Sequence, residues 1–444
     1  MRLRDQRRQP NGMINNSSSM MRYLVVLTCL AISSQMILCH SYYHVGERGR
    51  VDEEKETLRT LPTKHVAPSP LTAATAMPSF PPPQTCAQEQ LLAVRHQLPP
   101  ELCGQQQWLQ KCSITIATKC PKATWLDHHY LELQKRHFAN GGTTRNMSTT
   151  TTQQGASSSS SFLGISVGCN KGFDAINTLR MGTFDESINK VDWKAAMEHD
   201  GVQLHTSVCN QDDPKDIFEV VAGSDDHQKR RPYGEMHCIE PMPRTYERLH
   251  YSAKALGYME KGFTVTNAAV SKKSGDMFFP VDGKEGLENF GLATCNNPNV
   301  QQEHCKLLPV FLLKDFVDQK TQAPNSDPIN ILTIDVEGFD GDVLLGATSE
   351  VLTRVEYLEF EYNWMGSWKD QHLHDIVQML DGTADMTCYW AGIDRLWRIT
   401  NCWMAYFDVH VWSNVACVNR RLVPSMASKM EELFEHTLSE TDKQ

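Results

Sequence analysis

Beyond residue 162 the chain alternates short apolar runs with longer amphipathic ones, the pattern of strands exchanging with helices around a largely parallel sheet. FLGISV (162–167), MHCIE (236–240), FTVTNAAV (263–270), INILTID (329–335) and VEYLEFEY (355–362) predict strands. Helices are predicted from Pro243 to Leu256 and from Gly341 to Leu352. WMAYFDV (403–409) and HVWSNVACV (410–418) abut directly and predict an antiparallel pair at the sheet edge. This α/β domain is expected to span 162–420, with a charged helix and polar tail over 421–444.

Upstream the pattern changes. Residues 86–138 predict helices, with Leu91, Leu92, Val94 and Leu98 spaced for one face. Cys86, Cys103, Cys112 and Cys120 predict a small disulfide-stapled segment whose pairing stays open. Residues 40–85 form a Pro/Thr-rich stem and 139–161 a Ser/Thr-rich linker, neither able to bury a core. The linker carries the glycosylation sequon Asn146-Met147-Ser148.

Tyr23 to Cys39 carries no formal charge and gives roughly 25 Å of helix at 1.5 Å per residue, just enough for a bilayer core. Arg2, Arg4, Arg7, Arg8 and Arg22 precede it, whereas Glu47, Asp52, Glu53 and Glu54 follow. That asymmetry predicts a cytoplasmic tail (1–22), a transmembrane signal-anchor (23–39) and a lumenal remainder, in a single-pass type II protein of the Golgi or ER membrane. A cleaved signal peptide would instead give a secreted protein. Apart from Cys29 and Cys39, the 14 cysteines all lie downstream of this segment, which suits an oxidising lumen. A net charge of −10 argues against nucleic acid as a partner. Nothing in the composition indicates an oligomeric state.

Four strand ends carry the candidate chemistry. Ser166-Val-Gly168-Cys-Asn170-Lys-Gly172 runs from an apolar strand through a glycine turn into a helix, the arrangement of a nucleotide site. Glu240, ending the next strand, is placed to accept the hydroxyls of a ribose. It lies far beyond the usual ~20-residue spacing from the turn, and the intervening polar sequence reads as a surface insertion. Asn267, beside Ala268, closes the third strand where an adenine edge would lie. Asp335 and Glu337 end INILTID two residues apart, on one side of an extended strand. The competing structural readings are a plain glycine turn, a solvated strand-end glutamate and two helix-capping carboxylates.

His372 and His374 do not face each other on a helix, and no ligand set accompanies them, so no metal is expected. Most tryptophans near the C-terminus read as packing residues, with Trp364 and Trp368 in NWMGSWKD the candidates for stacking on a sugar.

SVGCNKG, IEPMPRTYERL, VTNAAVSKKSGDMFF, ILTIDVEGFDGDVLLGA and VEYLEFEYN, in this order, resemble the FkbM family of S-adenosylmethionine-dependent methyltransferases. The resemblance implies a class I methyltransferase fold, a Rossmann-like doubly wound sheet of seven strands with one antiparallel edge strand. It implies S-adenosyl-L-methionine as cofactor, with Gly168, Asn170 and Gly172 along its methionine and ribose part, Glu240 on the ribose and Asn267 to Ala268 near the adenine. It also implies O-methylation of a hydroxyl. The expected hydroxyl-bearing acceptor is a glycan, glycolipid or secreted small molecule, and Asp335 or Glu337 is the expected base. Ser166 stands where the family usually has Asp, Lys171 where an apolar residue is common, and the stretch 173–235 is unusually long. These departures keep a second reading open, a membrane-tethered lumenal binding protein with a degenerate form of the fold.

Overall fold

The computed structural model describes residues 85–97, 123–139, 162–202, 204, 234–281, 283, 285, 286, 295, 304–321, 327–408, 410 and 412–439. The expected tail, anchor and stem, together with Cys103, Cys112, Cys120 and Asn146, lie outside the described residues. Among the described residues, no helix is long and apolar enough to cross a membrane.

The expected strands form at β1 (Phe162–Val167), β2 (Gly234–Ile239), β3 (Phe263–Thr266), β7 (Ile329–Ile334) and β8 (Val355–Tyr362). Every residue of β1 and β2 is buried, as expected of parallel strands covered on both faces by helices. Two strands of the same sheet, β9 (Met386–Ala391) and β10 (Leu396–Arg398), were not anticipated. With β11 (Ser413–Asn419) they complete an eight-stranded sheet in the order β10-β9-β11-β8-β7-β1-β2-β3. Strand order reverses beside β1, so the carboxyl ends of β1, β2 and β7 open onto one crevice, where such sheets bind ligands.

The antiparallel element differs from the expectation. β11 is inserted between β8 and β9 and runs antiparallel to both, while the strand at the edge, β10, is antiparallel to β9. The predicted strand at 403–409 is a short 3₁₀ turn at Ala405–Asp408. Phe407 reaches the core from this turn without extending: it is fully buried and meets Trp390 edge-on at 5.0 Å. FTVTNAAV also divides. Its last part, β4 (Ala269–Val270), joins β5 (Gly275–Pro280) and β6 (Cys305–Phe311) in a separate three-stranded sheet.

Two segments expected to lie outside the core belong to it. After α3 (Phe173–Thr183), the helix expected to follow the glycine turn, the stretch read as an insertion continues in α4 (Lys190–Met197), whose Trp193 is fully buried against Tyr258 and Phe263. Only 205–233 of that stretch, with residue 203, falls outside the described residues. At the other end α9 (Pro424–Ser439) buries Met426, Met430 and Phe434 in the main core, so the folded unit continues past residue 420.

The helices ahead of β1 are α1 (Gln88–Gln97) and α2 (Thr124–Ala139). Trp125 of α2 is buried, and its indole N–H donates to Tyr357 Oη at 3.0 Å. Leu92, placed by spacing on the apolar face of α1, is instead half exposed at 51%. Cys86 is bonded to Cys402 across 316 residues rather than within its own segment, which ties the N-terminal helices to the domain. The other disulfides among the described residues are Cys169–Cys238, Cys295–Cys305 and Cys388–Cys417, the last joining directly opposed residues of β9 and β11.

Candidate active site

The loop after β1 is fixed from several directions. Gly168 and Cys169 both donate their backbone N–H to Ile239 O, at 3.0 and 3.2 Å. Cys169 is bonded to Cys238 of β2, and Trp193 Nε1 donates to Lys171 O at 2.8 Å. Asn170 adopts φ 46°, and its N–H donates to Glu240 Oε2 at 2.8 Å. The loop therefore keeps its shape without a ligand.

The two glycines have packing reasons beyond ligand approach. Gly168 has φ +80°, and a Cβ there would lie 1.7 Å from Asp335 O, where the β1 and β7 loops cross. Gly172, φ +72°, leads directly into α3, and a Cβ would meet Leu249 and Trp193 at 2.9 and 3.0 Å. Any side chain at either position collides with the fold itself.

Glu240 is 4% exposed and follows β2 directly, the carboxyl end expected for it. Its oxygens accept the N–H groups of Met242 and Asn170, each at 2.8 Å, which sets the carboxylate between the β1 and β2 loops. Burial pushes its pKa up to about 7 against those two hydrogen bonds, with Glu337 adding repulsion. A cation or a set of hydroxyl donors placed here would favour the ionised form.

Asn267 spends its amide on the protein. Nδ2 donates to Glu240 O and Pro241 O at 2.9 and 3.2 Å, and Oδ1 accepts from Lys306 Nζ at 3.3 Å. Ala268 is fully buried in the core. The pair thus braces the loop carrying Glu240, and its side chains offer little to a base edge.

Asp335 is exposed and Glu337 half-buried, the latter at φ 55°. The Asp335 N–H donates to Val167 O at 2.9 Å, carrying the β1–β7 ladder one step past the strands. The N-cap position of α7 (Asp340–Leu352) is Phe339, which makes no side-chain cap hydrogen bond.

Two buried carboxyls that the sequence reading passed over stand beside this pair. Asp340 is fully buried, accepts from Glu361 N at 3.3 Å, and is raised to about 7 by burial. Glu361 accepts from Asn363 Nδ2 at 2.7 Å and lies well above the ordinary carboxylate range, through burial and then the charges of Asp335, Asp340 and Glu337. Asp340 stands in the conspicuous run IDVEGFD, and Glu361 is the penultimate residue of the predicted strand VEYLEFEY, so both positions are visible in the sequence. Among the described residues no cluster has the arrangement of a metal site.

Beyond β8 the same edge carries a second group. His372 Nδ1 lies 2.6 Å from Asp408 Oδ2 and, facing an acceptor-only carboxylate, donates to it. Asp408 Oδ1 accepts from Tyr362 Oη at 2.8 Å and from Leu373 N at 3.0 Å. Trp368, a candidate for stacking on a sugar, is fully buried with its indole N–H on Glu361 O at 3.0 Å, and so is closed to that role.

Residues 218–383 match the family model described as the Methyltransferase FkbM domain. The match takes in Glu240, Asn267, Asp335, Glu337, Asp340 and Glu361 but begins after the β1 loop. No curated protein and no solved structure matches the chain.

Proposed function

We propose that this chain, which carries a methyltransferase domain of the FkbM family over residues 218–383, transfers the methyl group of S-adenosylmethionine to a hydroxyl of a glycan, glycolipid or secreted small molecule. The observation that carries the reading is the buried Glu240 carboxylate, held by two backbone N–H groups at the mouth of the β1–β2 crevice. The ligand implied offers a ribose diol and two positive charges, and the residues suit it. Among the described residues no cationic side chain hydrogen-bonds Glu240, and Glu337 repels it, so hydroxyl donors and positive charge brought by a ligand suit this carboxylate. When bound, the cofactor supplies an electrophilic methyl on a sulfonium.

Each part of the protein then has a defined task. Glu240 accepts the ribose hydroxyls, and the rigid Gly168–Gly172 loop supplies backbone against which the ligand lies. Asp335 and Glu337 face the acceptor side of the crevice. One of them takes the hydroxyl proton at a carboxylate oxygen as the new O–C bond forms. The asymmetry of charge around residues 23–39 supports a lumenal placement behind a membrane anchor, or secretion after cleavage.

Asp335→Asn and Glu337→Gln in an assay of labelled methyl transfer to hydroxylated acceptors test the base. Turnover is expected to fall by about 10²–10⁴-fold in one of them, with cofactor affinity changed far less. Turnover near that of the unaltered protein in both would remove the pair from the mechanism.

A further inference from the structure

A cleft of about 410 Å³ lies beyond β8, lined by His372, His374, Asp375, Trp403 and Asp408. That volume falls within the range of small-molecule sites. Its position follows from topology. Ser413 opens β11 opposite Tyr362, the last residue of β8, so the loops 363–372 and 399–412 both emerge at the edge that carries Gly168, Glu240 and Asp335. Neighbouring strands stand about 4.8 Å apart, which leaves the cleft one to two strands from the Asp335 loop. The two regions are joined: Ser367 N donates to Gly338 O at 2.9 Å, and His410 Nε2 donates to Trp368 O at 2.6 Å.

The lining chemistry is selective. The His372 ring is pulled toward its charged form by Asp408, and His374 pairs with Asp375 at 3.8 Å, so each carboxylate stands beside its own imidazole. The lining contains no Lys or Arg, so the cleft has no fixed cation to hold an anion. It offers imidazole N–H groups and carboxylate oxygens for hydroxyls, next to the half-buried ring of Trp403, which meets His374 at 4.5 Å. Aromatic face plus paired donors and acceptors suits a neutral ring bearing several hydroxyls.

We propose that this cleft is the acceptor subsite of the methyltransferase and that its occupant is a neutral sugar ring seated on Trp403 and hydrogen-bonded to His372 and Asp408. The proposal rests on the methyl-transfer reading above. The test uses purified chain labelled with ¹³C at histidine Cε1, titrated with the methyl glycosides of glucose, galactose, mannose and fucose. Parallel titrations with S-adenosylmethionine are followed by calorimetry. His372→Asn and His374→Asn assign the two resonances. At least one glycoside is expected to shift both signals saturably at millimolar concentration. Trp403→Ala should weaken that binding at least tenfold, and His372→Ala, a change at an exposed side chain, should do so if the first variant fails to fold. Neither should alter cofactor binding.

Cofactor binding with no saturable shift from any of the four glycosides overturns the proposal and leaves the methyl-transfer reading intact. Glycoside shifts with no cofactor binding would sink that reading and with it the acceptor role of the cleft.

Discussion

The carboxyl edge of the sheet is built differently on the two sides of β7. Over β1 and β2 the surface is mostly backbone: a loop with Gly168, Asn170 and Gly172 at positive φ, stapled by Cys169–Cys238 and closed around one buried carboxyl. Over β8 and β11 it is mostly side chain, with His372, Trp403 and Asp408 arriving from separate segments and His372 largely exposed. The first side is preformed and shaped by short-range sequence. The second depends on a fold that brings distant residues together, and it has room to vary without disturbing the first.

The largest effect expected is on the rigid side. Trp193→Ala opens a cavity under the β1 loop and frees Lys171 O, and should cost about 3–5 kcal/mol of unfolding free energy. A loss below 1 kcal/mol by denaturant titration would show α4 to be peripheral. Gly168→Ala should cost about 3 kcal/mol, because its Cβ meets the Asp335 carbonyl, and should lower cofactor affinity along with stability. Affinity lost at full stability would mean that the glycine serves the ligand alone.

Glu240→Gln should weaken cofactor binding at least tenfold, by about 1.4 kcal/mol. In the unaltered protein, affinity should rise as pH passes through about 7, where Glu240 ionises, and that dependence should vanish in the variant. The same titration acts on stability. Glu240, Asp340 and Glu359 have native pKa values raised to about 7 by burial, so the native state holds more protons than the unfolded one between the ordinary carboxylate range and 7. Their contribution is complete below the unfolded pKa and is lost as pH rises through the native value. The unfolding midpoint should therefore fall between about pH 5 and pH 8. A midpoint rising over that interval would contradict the assigned shifts. Smallest of all, His372→Ala should leave the unfolding midpoint nearly unchanged, since its partner Asp408 keeps Tyr362 and Leu373.

The same contrast decides what the sequence made legible. The β1 loop, Glu240 and the Asp335 run each combine an apolar strand with its turn in one short window, so their placement at the sheet edge could be read directly. β9 escaped because MTCYWA mixes small, polar and aromatic residues, all buried between antiparallel neighbours, and shows no alternation. The turn at 405–408 looked like a strand because Phe407 is apolar to fill the core rather than to extend. α4 looked like surface because KVDWKAAM is short, carries three charges and an exposed Val191, and buries only Trp193 and Met197. Cys86–Cys402 and the His372–Asp408 pair join residues 316 and 36 apart, and no local pattern announces such contacts.

Calorimetric titration of the purified protein with S-adenosylmethionine tests the central claim most directly. The account predicts saturable one-to-one binding, strengthening from about pH 6 to pH 8 and weakened at least tenfold in Glu240→Gln. Absence of binding by a cooperatively folded protein, or binding indifferent to Glu240, would contradict it.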